Sequence, residues 1–277
     1  MKIISKTNLV DIPNLRITEI KVASPYIAAK AVPGEFVVLM PEKKSERIPL
    51  TIVRADKKNG VITLIFQEAG FSTMLLGKMN AGDSLYALAG PLGHATEIKK
   101  YGKVILVGGG VGIAEIYPVA VALKAAGNNI TTILGARTKD ILILENELKA
   151  VSDDFYITTD DGSYGTKGFT TDILRQLLSK GKYDIIYAVG PIPMMKKVSA
   201  VTMEFEAKTV VSLNAIMIDG TGMCGGCRVT IDKKVKFTCV DGPEFDGHQI
   251  DWNELEKRNK TYSAKEKHIC SLEKVIQ

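Results

Sequence analysis

Two hydrophobic rhythms divide the chain. Up to about residue 98, short apolar runs alternate with turn signals. Leu15–Ile20, Glu35–Leu39, Leu50–Arg54, Val61–Gln67 and Ser84–Leu88 are rich in Val, Ile and Leu, and Pro33-Gly34, Asn59-Gly60 and Gly82-Asp83 punctuate them. Short strands at regular spacing predict a small all-β barrel over residues 1–98. Pro49 stands where it starts a strand rather than interrupting a central one. From Lys103 the period changes. Val104–Val107, Thr131–Leu134, Asp154–Thr158 and Asp184–Val189 are buried-strand runs, and Ile113–Ala126, Asp140–Ala150 and Thr170–Lys180 between them have helical character. That alternation predicts right-handed βαβ crossovers and a parallel sheet over residues 99–215. Residues 216–277 hold a cysteine-bearing loop, a strand pair at Arg228–Ile231 and Val235–Cys239, and a charged stretch from Asn253 to Gln277. The charged stretch reads as a solvated helix face or a partner-binding tail. The fold class is therefore all-β plus α/β, with a small C-terminal module.

Composition narrows the function classes. A length of 277 residues, 45% hydrophobic and 24% charged, suits two globular domains plus a module. The net charge of +5 comes from lysines spread along the chain, with no dense Lys/Arg block interleaved with aromatics. Nucleic acid is a poor partner for such a surface. No apolar run reaches the ~20 residues of a membrane span. MKIISKTNLVDIPNL has no apolar signal region and no small-residue cleavage site, so a cytoplasmic protein is expected.

Three of the four cysteines fall in Asp219–Cys239, read as DGTGMCGGCRVTIDKKVKFTC. Cys224 and Cys227 are spaced C-x2-C, and Cys239 follows after eleven residues. Glycines at 220, 222, 225 and 226 let backbone N–H groups approach sulfur without Cβ obstruction. Plant-type [2Fe–2S] spacing is C-x4-C-x2-C…C. Counting back five from Cys224 reaches Asp219, an anionic ligand of shorter reach. The stretch reads as a [2Fe–2S] site with Asp219, Cys224, Cys227 and Cys239 as ligands. Zinc is the alternative, although His248 and His268 are badly spaced for it. Cys270 is the rival fourth ligand.

Three glycine-bearing loops follow three strands of the α/β half. Gly108-Gly109-Gly110-Val111-Gly112 precedes a helix, whose N-terminus offers N–H donors to a pyrophosphate. The spacing is not G-x-G-x-x-G, and a tight turn without ligand remains open. Asp160 and Asp161 sit in TDDGSYG, where at least one is simple turn chemistry. Gly190 and Pro191 follow the strand ending at Val189. Ligands of open α/β sheets bind beyond such strand ends, so the three loops predict one crevice. Arg137, after the second strand of this half, could pair with a 2′-phosphate or simply be a solvated turn residue.

The ordered set RIPLT (Arg47 to Thr51), GGGVGIAE, TDDGSYG, VGPIPMM and a C-terminal cysteine loop resembles the ferredoxin reductase superfamily. More narrowly it is similar to the electron-transfer subunits of dihydroorotate dehydrogenase B and the small subunits of NADH-dependent reduced ferredoxin:NADP oxidoreductases. The resemblance covers essentially the whole chain and implies FAD in the barrel, NAD(H) in the α/β domain and a [2Fe–2S] cluster near the flavin. It implies that Arg47, Pro49, Leu50, Thr51, Gln67, Gly70, Ser72 and Thr73 hold FAD. Gly109, Gly110, Val111, Gly112, Arg137, Asp160, Asp161, Gly190 and Pro191 are the residues for the dinucleotide side. Arg47 stands four positions before Thr51 rather than the usual three, and Val189 replaces a common cysteine before Gly-Pro. The resemblance further implies a larger partner carrying FAD and [4Fe–4S] clusters, in an electron-bifurcating enzyme. The other expectations are a subunit serving dihydroorotate oxidation, or a zinc-stabilised nucleotide-binding module without enzyme activity.

Overall fold

The structure, a computed structural model, describes residues 1–262. The first half contains β1 (Ile3–Ile12), β2 (Leu15–Ala23), α1 (Pro25–Lys30), β3 (Phe36–Met40), β4 (Ile48–Thr51), β5 (Arg54–Asp56), β6 (Val61–Gln67), α2 (Phe71–Lys78) and β7 (Ala87–Leu92). Antiparallel sheets β1-β2-β6-β5 and β4-β3-β7 face each other. Period-2 alternation sends Ile20, Val22, Ile62, Leu64 and Phe66 from one sheet and Val37 and Leu39 from the other into a single core, which Leu76 of α2 joins. The predicted barrel is thus a pair of curved sheets closed around shared side chains.

Three details of this half differ from the sequence expectation. The strand β1 went unpredicted because, at the sheet edge, it alternates only weakly between apolar and polar residues. Leu50–Arg54 is not one strand. Ile52 enters the barrel core while its neighbour Val53 enters a second core, which breaks the ladder between β4 and β5. The strand expected at Ser84–Leu88 runs later, as β7, while Ser84 makes only an isolated bridge to Lys2. Pro49 lies within β4, an edge strand paired with β3 alone, where a missing N–H costs little.

The second half contains β8 (Lys103–Gly109), α3 (Gly112–Ala125), β9 (Asn129–Ala136), a 3-10 turn (Lys139–Ile141), α4 (Glu145–Val151), β10 (Asp154–Thr159), β11 (Thr166–Lys167), α5 (Thr170–Lys180), β12 (Ile185–Val189), α6 (Ile192–Glu204) and β13 (Thr209–Ser212). The helix expected over Asp140–Ala150 is split at Leu142–Leu144. Leu144 adopts φ +54 and is only 8% exposed. Burying a leucine is worth about 1.5–3 kcal/mol, enough to offset the ~1–2 kcal/mol of a left-handed residue. A further parallel strand, β13, follows the one ending at Val189, where the sequence pattern predicts none.

The C-terminal part contains β14 (Arg228–Ile231), β15 (Lys234–Phe237), α7 (Thr238–Asp241), β16 (Glu244–Asp246) and α8 (Trp252–Asn259). Asp232 and Lys233, both at positive φ, make the two-residue turn joining β14 to β15. The second strand stops at Phe237, so Cys239 sits in a helical turn rather than in the expected strand. The main sheet runs β11-β10-β9-β8-β12-β13-β16, with β16 alone antiparallel. Shared cores join the three parts. Val10, Ile17, Val53 and Ile65 of the barrel pack with Ile113 and Ile116 of α3, while Phe36 and Val38 share a core with Cys227, Val229 and Cys239. Cys270 and His268 lie outside the described residues.

Candidate functional site

Strand order reverses between β8 and β12, each of which continues into a helix through a glycine turn. A doubly wound sheet opens a crevice at this switch point. Here the crevice is a cleft of ≈ 720 Å³ whose facing wall belongs to the barrel. Backbone packs on backbone at its floor. A Cβ on Gly112 would come within 2.7 Å of Gly190 N and 2.6 Å of the Val189 carbonyl carbon. Gly110, at φ +56, has open space where a Cβ would be, so its conformation rather than crowding calls for glycine. The glycine turn and the start of α3, Gly109 to Gly112, therefore border the cleft directly.

Eleven of the seventeen residues expected at the flavin and dinucleotide line this one cleft: Pro49, Leu50, Thr51, Gln67, Thr73, Gly109, Gly110, Val111, Gly112, Gly190 and Pro191. Six do not. Arg47 is exposed beyond its rim. Ser72 is buried and its hydroxyl accepts the Glu46 N–H at 3.1 Å, while Gly70 caps α2 next to it. Arg137, Asp160 and Asp161 belong to neighbouring loops of the sheet, tied together by Asp160 N–H to Ala136 O and Asp161 N–H to Arg137 O. Asp161 turns into its own loop, where the Ser163 amide and hydroxyl hold its carboxyl below the usual carboxylate range.

Sequence pattern missed Glu115, in the first turn of α3. It lines the cleft, and burial raises its carboxyl to about 7, opposed by a hydrogen bond with Thr51 across the domain boundary. A lone acid inside the apolar run Ile113–Ala126 was the available signal. The linkage has a definite sign. Below about pH 4.5 the folded and unfolded chains both hold this proton. Between there and about 7 only the folded chain does, so stability falls as pH rises through that window and stays lower above it. Glu115→Gln removes this loss. The variant is expected to gain about 1–3 kcal/mol over the unmodified chain at pH 8 relative to pH 5. Parallel pH–melting curves for the two proteins would sink the assignment.

Ser212, Leu213, Asn214 and Met217 form the far wall of the cleft, and Asp219 begins the cysteine loop two residues later. One Asp219 oxygen accepts the Thr221 N–H and the other the Cys224 N–H, each at 2.8 Å, and these donors hold the carboxyl below its usual range. Cys227 and Cys239 are buried with sulfurs 3.2 Å apart. Backbone N–H groups of Gly226 and Cys239 point at the sulfurs of Cys224 and Cys227, both at 3.4 Å. Burial foremost, then the neighbouring Cys227, pushes the Cys239 thiol up to about 12. A thiolate there calls for a compensating metal charge.

Of the four candidate donors, the Cys227 and Cys239 sulfurs lie together, while Asp219 and Cys224 are tied through the Cys224 N–H. Among the described residues no three His, Cys, Asp or Glu side chains converge on a single ion. Tetrahedral zinc asks for four around one point, whereas a two-iron cluster spreads its ligands over two metals. The donor set fits the cluster.

Fold and site together define a nicotinamide-binding, iron–sulfur oxidoreductase chain of the ferredoxin reductase type. Residues 106–200 match the oxidoreductase NAD-binding domain, and residues 214–251 match the iron-sulfur cluster binding domain of dihydroorotate dehydrogenase B. A Thermotoga maritima protein described as a dihydroorotate dehydrogenase B (NAD(+)) electron transfer subunit homolog is 51% identical over 244 residues, spanning 88% of this chain and 86% of its own. The electron transfer subunit of dihydroorotate dehydrogenase B from Geobacillus thermodenitrificans is 34% identical over 85% of this chain and 93% of its own. A solved chain of the NADH-dependent reduced ferredoxin-NADP oxidoreductase, a flavin-based electron-bifurcating enzyme, superposes with a TM-score of 0.92. It is 46% identical, with 100% of this chain and 98% of that one covered. The chain belongs to the family of dihydroorotate dehydrogenase B electron transfer subunits.

Proposed function

We infer that the chain is the electron-transfer subunit of an electron-bifurcating ferredoxin:NADP oxidoreductase, passing electrons between NAD(H), FAD and a [2Fe–2S] cluster. The observation that carries this reading is a shared wall. The segment that closes the dinucleotide cleft, Ser212 to Met217, runs directly into the cluster loop at Asp219. Electrons entering the cleft thus have a metal site beside them. The 46% identity and full-length superposition on the NADH-dependent reduced ferredoxin-NADP oxidoreductase chain favour this enzyme over dihydroorotate oxidation.

On this reading the barrel and α/β residues divide the work. Pro49, Leu50 and Thr51 would line the flavin ring, and the N-terminal turn of α3 with Gly190 and Pro191 would hold the dinucleotide across the cleft. When bound, FAD supplies the exchange between two-electron hydride and single electrons. The chain's residues orient the two rings and exclude water, and no acid–base side chain is needed for hydride transfer itself. Asp219, Cys224, Cys227 and Cys239 are the proposed cluster ligands, and residues 1–98, 99–215 and 216–277 the three functional units.

The relay ends at the surface, which calls for a partner. Met223, between the ligands Asp219 and Cys224, is 88% exposed, and Val235 of the adjacent hairpin is 60% exposed. A larger FAD and [4Fe–4S] subunit docking on this apolar tip would shield both. No helix among the described residues is long and apolar enough to cross a membrane, and thiolate ligands suit the reducing cytoplasm. The test is a visible spectrum of the purified chain with flavin, iron and zinc assays. One FAD and about two irons per chain are expected. Zinc without flavin would overturn the redox reading.

A further inference from the structure

The helix α8 begins at Trp252, beyond residue 251, where the match to the iron–sulfur domain ends. It nevertheless fastens that domain at three points. Glu254 accepts the Thr230 N–H at 3.1 Å on β14, and Asn259 donates to the Asn214 carbonyl at 2.7 Å. The third point is Arg258, which donates from Nη2 to the Gly226 carbonyl at 3.0 Å. Gly226 lies between Cys224 and Cys227, and its own N–H points at the Cys224 sulfur. A half-buried guanidinium therefore binds the peptide that joins Gly226 to Cys227, while the Gly226 N–H reaches the Cys224 sulfur. Leu255, 1% exposed, fixes the helix in the core beneath it.

We propose that Arg258 is a positioning residue that holds the Gly226 peptide and raises the reduction potential of the cluster with its charge. The inference rests on the cluster reading above. A cluster held by one carboxylate and three thiolates is anionic, and its negative charge grows by one on reduction. A fixed cation nearby favours the reduced form, more so where burial limits screening. Hydrogen bonds and net charge around the sulfurs are the levers that set such potentials. Arg228 lines the same ≈ 210 Å³ cavity as Arg258 but is exposed. Solvent screens its charge, which makes it the internal comparison.

The test is an electron-paramagnetic-resonance redox titration of the full FAD- and iron-loaded chain, with iron measured in parallel. Arg258→Gln is expected to keep its iron and lower the cluster's reduction equilibrium about tenfold, ~59 mV for one electron. Arg258→Lys keeps the charge and stays near the unmodified midpoint, as does Arg228→Gln. An unshifted midpoint in iron-replete Arg258→Gln overturns the proposal. So does an Arg258→Lys shift as large as that of Arg258→Gln, or loss of iron from both variants, since either assigns Arg258 a purely structural role. If Arg258→Gln alone loses iron, an unshifted Arg258→Lys carries the proposal. An unmodified chain without iron or signal would strike the cluster assignment itself.

Discussion

Asp219→Ala is expected to cost the chain its cluster, while Cys270→Ala keeps about two irons in place. Two functions would converge on this carboxylate if it is the proposed ligand. Its two oxygens accept the Thr221 and Cys224 amides and so shape the loop that presents Cys224. Each oxygen retains a second lone pair for iron. The same amides keep the group ionised well below neutral pH, as a ligand must be. Asp219→Cys separates bracing from ligation. It removes the amide acceptors but restores an anionic ligand, giving a set of four thiolates, and it is expected to recover iron that Asp219→Ala loses. Iron content and the visible spectrum decide the matter. Full iron in Asp219→Ala with loss in Cys270→Ala would move the fourth ligand to Cys270.

The second large effect is expected at Gly112. An added methyl would meet the Val189–Gly190 backbone, which cannot rotate away as a side chain could. The first turn of α3 or the β12–α6 loop must then shift. Overpacking of this kind costs about 1–3 kcal/mol. More important, the displaced turn borders the cleft proposed to hold the dinucleotide, so NADH affinity is expected to fall more than about tenfold. Gly110→Ala is the contrast. It meets nothing, and its cost is the ~1–2 kcal/mol of a left-handed alanine. Titration of both variants with NADH, alongside melting curves, checks the pair. Unchanged affinity in Gly112→Ala would remove α3 from the binding site.

Much of this architecture was written in local pattern. The helix at Thr170–Lys180 is observed with the expected bounds, and β8 runs through Val104–Val107 into the glycine turn. Apolar runs bounded by glycine have few alternatives once strands alternate with helices. Cysteine spacing likewise named its chemistry, because ligand chemistry is carried by residue type and distance along the chain. Local pattern failed where two cores compete for adjacent residues, as at Ile52 and Val53, or where burial overrides backbone preference, as at Leu144.

The sequence by itself determined many of the elements, the period change near Lys103, the three glycine loops and the cysteine loop. Each depends on neighbours within a few residues, so each leaves a mark at short range. Only the tertiary structure decided which of these meet. It brought Thr51 of the barrel to Glu115 of α3, set Ser212–Met217 between the cleft and the cluster loop, and laid Arg258 of α8 against Gly226. The first and last of those contacts join residues 64 and 32 positions apart in the sequence. Their cause is the burial of shared cores among the three parts, a property of the packed chain that no short window contains.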